Sequence, residues 1–533
     1  MSLKSKKWQC LRWVVAPLLI FAVVKLYYLV LHYPSINFHH AINPFYANRC
    51  LAGFVVLGVW GSLAFILYKA LQRGHCRMPL PLLFLAIQGL TMIGVFLIQA
   101  AGVSLNAMLT HRLLILPIFL AAFLAWALGR MKSHPQHLLK TRRQWHGWLR
   151  AAAMLIVGLG IFRVVWAAGW LLLMKSMPTG DEVYVWWLST DTLLHRGLSG
   201  LLADPGASSY SPGYPFFANI LMAVLPRYFA MHAEPILPLC FGGLAILLIF
   251  TAQPRRGLTL PWLALMVLLL NLLLIAHLWI YAMFFQLWYG EAFAVIVIAC
   301  LFQSLDLRLF QPSSLRWEAI LLFGLGVVAR FSKPPLEILL LPAILPLLLA
   351  GTWLAARQKA ARLITRRLLW LALGACVAHL VWSYLLTQAN AQPYFKYSLS
   401  ALKSFNWASA DAPLVSYFLL RYKQVLLLYL TGAILALMLD WRRFTPSLLA
   451  SAALCASIFV LYGTVWQDRE YESGARYFLH GMYGWSFYFL SAKGAQLVAC
   501  VTSRRHPIGS ARRPEDCAAK TILRQAPHLT LKQ

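Results

Sequence analysis

Long apolar runs recur along nearly the whole of this 533-residue chain, and no other feature restricts its fold as tightly. Stretches such as "WVVAPLLIFAVVKLYYLVL", "LAGFVVLGVWGSLAFILYKAL" and "LTLPWLALMVLLLNLLLIAHL" approach or exceed the ~18–20 apolar residues that cross a bilayer as a helix. Hydrophobic residues make up 61% of the chain and charged residues 12%, which excludes a single soluble globule. The expected fold class is an all-α polytopic membrane protein. Its first run is too long for a signal peptide and lacks a small-residue cleavage site, so it reads as a retained helix.

A net charge of +31 raises the question of nucleic acid, and the distribution of that charge answers it. Basic clusters fall between apolar runs: Lys4, Lys6 and Lys7; Arg73 and Arg77; Lys140, Arg142 and Arg143; Arg255 and Arg256; Arg366 and Arg367; Arg442 and Arg443; Arg504 and Arg505. They recur at every second connection, as the positive-inside rule demands of cytoplasmic loops. Charge here reports orientation, with some attraction to anionic headgroups, and nucleic acid is not an expected partner. The nine cysteines show no CxxC pair, and Cys50 alone falls on the non-cytoplasmic side, so no disulfide framework is expected.

With the basic connections fixed inside, roughly fourteen spans follow, with both termini cytoplasmic. Four apolar runs, near 11–31, 50–70, 79–101 and 108–129, make an N-terminal module over 1–130. A basic cytoplasmic linker (131–150) leads to a membrane core over 151–502, and a basic tail occupies 503–533. Within the core, spans are expected near 151–174, 236–252, 259–279, 286–304, 316–331, 335–353, 368–387, 417–439, 446–464 and 482–501. The first large outer loop, 175–235, contains "VYVWWLSTDTLLHRGLSGLL" and "YPFFANILMAVLPRYFAM". Both are partly apolar but broken by charge, Gly and Pro, which suits helices lying at the interface.

Acids are scarce, 16 against 47 basic residues, and ten of the 16 map to the outer side. They are Asp181, Glu182, Asp191, Asp204, Glu234, Glu291, Asp411, Asp468, Glu470 and Glu472. Asp181 and Glu182 are the most particular of these. They stand side by side just beyond the fifth span and just before the interfacial segments.

"GDE" after the span, then "YSPGYPFFANILMAVLPR" some thirty residues on, resembles the first outer loop of the GT-C superfamily of integral membrane glycosyltransferases. That superfamily includes the protein O-mannosyltransferases and the aminoarabinose transferase acting on lipid A. Three later pieces are similar in the same order: "FFQLWYGEAFAVIVIACLFQSL" with its acid Glu291, "GLGVVARFSKPPLEILLLPAILPLLLA", and "ESGARYFLHGMYGWSFYFL". The resemblance covers about residues 150–500. It departs from the family's pattern at Ser211, and at His480 and Gly481, where Pro is common. It implies a GT-C-like bundle moving a sugar from a polyprenyl-phosphate donor to an acceptor at the outer face, with Asp181 as general base and Glu182 as either its helper or a structural hydrogen-bond acceptor.

Such a transfer needs a base for the acceptor and cations for the departing lipid phosphate. Arg330 and Lys333, in "VVARFSKPP" at an expected outer hairpin, are the candidate phosphate ligands, joined by Arg476 with Tyr477 in "GARYFLHG". Glu291 is a further candidate on the donor side, and Tyr210 and Tyr214 in "YSPGYP" are candidates on the acceptor side of the loop. Asp181, Glu182 and Glu291 offer hard oxygen ligands to a divalent cation. The sequence has no DxD motif, however, and Arg and Lys suffice for a monophosphate, so no cofactor is expected to be required. No Walker-type Gly-rich loop appears on the cytoplasmic side, which favours a lipid-linked donor over a nucleotide sugar. The acceptor, whether glycolipid, polysaccharide or protein, is left open. A bacterial inner membrane with a periplasmic active site is the expected location.

A transporter or lipid flippase with a charged outer vestibule is the alternative from another class. It calls for acids and bases at mid-membrane depth. An O-antigen ligase or polymerase would carry Arg and His in a large late outer loop, and the loop at 388–417 has neither.

Overall fold

A computed structural model of the chain describes residues 79–110, 112–113, 188–203, 291–312, 314–332, 350, 353, 358–391, 407–465 and 479–492. These residues are helical, with short turns and no β-strand among them. In chain order the main helices are α1 (Leu80–Ala100), α2 (Leu188–Ala203), α3 (Glu291–Leu305), α4 (Leu315–Ser332), α5 (Gln358–Gln388) and α6 (Trp407–Val465). A seventh, α7, covers residues 479–492. The expected linker, the tail, and the expected spans near 11–31, 50–70, 151–174, 236–252 and 259–279 lie outside the described residues.

Local chemistry sets several of the boundaries. Pro79 caps α1 and Pro81 sits in its first turn, where a missing N–H costs nothing. The same helix stops at Gly102, whose φ of 87° is open to glycine without a Cβ penalty. In α4 the acid Glu318 lies in the first turn and Arg330 in the last, both on the favourable side of the helix dipole. Asp306 ends α3, because its Oδ1 accepts the backbone N–H groups of Arg308 (2.8 Å) and Leu309 (3.3 Å) and turns the chain away.

Two helices, Ala360–Gln388 and Val425–Ser457, are long and apolar enough to cross a membrane. The second does so only along a fold. Tyr429 donates to Ser451 at 3.0 Å, although a straight helix would hold them about 33 Å apart. The reversal falls at Asp440, whose φ of −166° and ψ of 73° break the helix midway between the two. α6 is therefore a hairpin, and its limbs follow the two spans expected near 417–439 and 446–464.

Helices α1, α4 and α5 run parallel to one another. Phe331 makes an edge contact with Phe96 and another with Trp382, tying the same ends of all three together. Lower down, glycines let the backbones touch. A Cβ on Gly324 would meet the carbonyl oxygen of Ala86, one on Gly89 that of Gly324, and one on Gly374 that of Phe323. Small residues at such crossings give apolar helices the close packing that the hydrophobic effect cannot supply within lipid. Gly324→Leu is accordingly expected to cost about 1–3 kcal/mol through overpacking, read as a lower midpoint in thermal unfolding of the detergent-solubilised protein. α1 comes from the expected N-terminal module, yet it packs into α4 and α5 of the core.

α3 runs the other way and packs on α1, α4 and α5. Alongside it lies α7, with Gly484 against Ile298 and with Gln303 donating to Ser491 at 3.0 Å, so the two are parallel. The second limb of α6 closes on α7 through Trp485, which donates to Ser447 (3.1 Å), and through Ser451, which donates to the Gly481 carbonyl (2.9 Å). Trp485 is also stacked on Phe489 within α7. The bundle thus has two ends. One carries Asp306 and the Asp440 fold; the other carries Arg330.

Candidate functional site

At the Arg330 end, α1 finishes in a polar knot that receives α2. The Gln99 side chain accepts from the Leu105 N–H (2.9 Å) and from the Ser199 hydroxyl (3.2 Å). Thr110 donates to the Leu105 carbonyl (3.1 Å) and accepts from the Leu198 N–H (3.2 Å), while the Ser199 N–H reaches the Leu105 carbonyl at 3.1 Å. These bonds become available because α2 breaks at Gly197, with φ 73° and ψ −165°. A side chain there would run into the backbone of Asn106 and Ala107. That conformation is essentially restricted to glycine. Gly197→Ala is therefore expected to cost about 1–3 kcal/mol and to free α2 from α1, seen as faster amide exchange at 198–199. The segment expected to lie at the interface is thus held by the last turn of α1 and the residues that follow it.

Arg330 adjoins Phe331, whose ring packs on Phe96, three residues before Gln99 of this knot, and on Trp382 of α5. Its side chain is buried although charged. Nε and Nη2 point to Nδ1 of His379 on α5, at 3.2 and 2.9 Å. Arginine has no acceptor, so Nδ1 must be the lone-pair nitrogen and the imidazole carries its proton on Nε2. The guanidinium also lies 5.4 Å from the centre of the Phe331 ring. His379 holds the guanidinium's orientation and was not singled out from the sequence; a histidine on α5 opposite the last turn of α4 is visible only once the two helices are known to be parallel.

Of the sequence-nominated residues, the structure describes Arg330 with its side chain and Glu291 by its backbone alone. Asp181, Glu182, Tyr210, Tyr214, Lys333, Arg476 and Tyr477 lie outside the described residues. Their neighbours in the chain are nonetheless informative. Lys333 follows Ser332, the last residue of α4 at the Arg330 end. Glu291 opens α3, about 22 Å along the axis from the Asp306 end. Arg476 and Tyr477 precede residue 479, where α7 begins alongside the first half of α3. Asp181 and Glu182 precede α2, which is docked beside the end of α1.

The opposite end holds a charge cluster that the sequence reading passed over. Asp306, 1% exposed, takes Arg443 on Oδ2 at 2.6 Å and the Tyr488 hydroxyl at 2.9 Å. Arg308 pairs with Asp440 at 3.2 Å. Glu318 receives Arg366 at 3.0 Å, with Arg367 at 3.6 Å. Arg367 also donates to the carbonyl of Ser304 (2.8 Å), one that α3 leaves open at its C-terminus, and to that of Phe310 (2.9 Å) in the turn beyond it. These are the acids whose side chains the structure describes, and every one is tied to arginine. The cluster joins α3, α4, α5, α6 and α7. Its role is that of a clasp, since each carboxylate is committed to an arginine on another segment. One signal in the sequence pointed to it: Asp306, Glu318 and Asp440 are acids placed in or beside otherwise basic connections.

No group of three or more His, Cys, Asp or Glu able to hold a metal ion occurs among the described residues. No protein-family model, curated protein or solved structure matches this chain.

Proposed function

We propose that this protein is a polytopic membrane glycosyltransferase of the GT-C kind, with roughly fourteen spans. It moves a sugar from a polyprenyl-phosphate donor to an acceptor at the outer, periplasmic face of a bacterial inner membrane. One observation carries the reading furthest. By chain position Lys333 follows α4, Glu291 starts α3, and Arg476 and Tyr477 precede residue 479 of α7, three helix ends at the Arg330 end of the bundle; the acidic pair precedes α2, whose Leu198 and Ser199 bond beside the end of α1. This chain order supports a site that brings the acid for the acceptor and the cations for the phosphate to one side. The positive-inside rule independently assigns that side to the exterior, since the arginine-rich Asp306 end is then cytoplasmic.

In this mechanism Asp181 takes the proton of the acceptor as it attacks the anomeric carbon, and Glu182 supports it. The bond to the lipid phosphate breaks, and the phosphate leaves with its negative charge against Lys333, Arg330 and Arg476. Arg330 suits the role because His379 fixes its orientation before any donor arrives. Tyr477 and Glu291 are placed on the donor side, and Tyr210 and Tyr214 on the acceptor side. A divalent cation is not required for this chemistry. The transporter alternative calls for ionisable groups at mid-depth, whereas Asp306, Glu318 and Asp440 all stand at helix ends or folds.

The test is direct transfer. Purified protein would be incubated with polyprenyl-phosphate sugars carrying labelled hexoses or pentoses, with membrane extract as the source of acceptors. Label moving from donor to product supports the reading; donor crossing the membrane of a sealed vesicle without transfer would favour a transporter.

A further inference from the structure

Seven arginines with described side chains gather at the Asp306 end, Arg308, Arg316, Arg362, Arg366, Arg367, Arg442 and Arg443, against the three carboxylates of Asp306, Glu318 and Asp440. The clasp uses the buried pair, Arg367 and Arg443. It leaves a surplus of cations on the surface. Arg308 is 64% exposed even while it touches Asp440, Arg366 is 40% exposed beside Glu318, and Arg316, Arg362 and Arg442 are exposed as well. Two exposed indoles stand among them, Trp317 next to Arg316 and Trp441 under the Arg442 guanidinium at 5.5 Å. Immediately below, the sides of the bundle turn apolar, with Leu369 and Met438 exposed.

Guanidinium groups at the rim, indoles at the same level and aliphatic side chains beneath match one ligand chemistry: a phosphate-bearing headgroup above acyl chains. We propose that this end is a binding face for anionic phospholipid, centred on Arg308 and Arg442 at the α6 fold and on Arg316 and Arg362 beside it. The paired carboxylates account for why the face discriminates. Each acid described at this end is spent on an inward or neighbouring arginine, so an anion arriving at the described surface meets cations rather than these carboxylates. A soluble phosphate shares the charge chemistry but makes no use of the indoles or the apolar flank. The proposal rests on the membrane-spanning part of the functional reading and not on glycosyl transfer.

Full-length protein in a neutral detergent would be titrated with phosphatidylglycerol and, separately, with phosphatidylcholine, with retained lipid read by native mass spectrometry. Phosphatidylglycerol is expected to bind preferentially and to weaken as salt rises. The R308Q/R442Q protein should bind it about thirtyfold less tightly, from about fivefold per arginine, which is ~1 kcal/mol each. R308K/R442K should retain binding. Because R308Q strips Asp440 of a partner, R316Q/R362Q serves as a second pair touching no acid among the described contacts, and the same loss is expected. Unchanged phosphatidylglycerol binding by both Gln pairs would overturn the proposal. So would equal affinity for phosphatidylcholine, or displacement of the lipid by inorganic phosphate. Glycosyl transfer by these variants is scored separately, so either reading can fall alone.

Discussion

Asp306→Ala is expected to destabilise the protein by about 3–5 kcal/mol, because it strands the buried guanidinium of Arg443 without its counter-charge. Three helices lose a contact at once. Arg443 belongs to the α6 fold, Tyr488 to α7, and the two backbone N–H groups to the turn that ends α3. The low-dielectric surroundings make the unpaired cation more costly than the pair was favourable. A charge-free replacement should therefore recover much of the loss: Asp306→Leu combined with Arg443→Met is expected to lie well above either single variant. Thermal unfolding of the wild type, Asp306→Ala, the two single variants of the replacement and the double variant in one detergent checks this. An Asp306→Ala protein that melts with the wild type would refute the clasp.

How much of this was legible beforehand differs from element to element. α1 and α4 sit within a few residues of the runs expected at 79–101 and 316–331, because apolar length and flanking charge define both. The α6 reversal was legible too, since Arg442 and Arg443 interrupt two apolar runs and the break falls at Asp440. α5 begins ten residues before the expected span. Hydropathy stops at a charge, but Arg366 and Arg367 continue the helix with their side chains bonded to Glu318, Ser304 and Phe310. Pairings between distant segments left no pattern. Ser199 reaches Gln99 across a hundred residues, and Arg330 finds His379 only because α4 and α5 are parallel. Nor does a glycine such as Gly324 announce which carbonyl it approaches. For the candidate site, residue types and chain order were readable, and of its described residues Arg330 gained its His379 partner only from the helix directions.

The second large effect belongs to the acid that opens the outer loop. Asp181→Asn keeps the side chain's shape but replaces the carboxylate with a neutral amide that cannot act as the proposed base, so transfer should fall by about 10²–10⁴-fold, the usual worth of a positioned base. Binding of the lipid-phosphate donor should change little, because its charge is met by Lys333, Arg330 and Arg476. Folding should be untouched, since the substitution is isosteric and leaves every contact of the clasp in place. A drop in the chemical step with unchanged donor affinity is the signature of a base rather than of a structural acid.

The deciding measurement is single-turnover transfer of labelled sugar from polyprenyl phosphate by wild-type and Asp181→Asn protein, each matched for thermal midpoint. Rapid transfer by the first and a loss of at least about a hundredfold by the second is the result this account requires. Equal transfer by both would remove Asp181 from the chemistry, and with it the mechanism proposed for this loop.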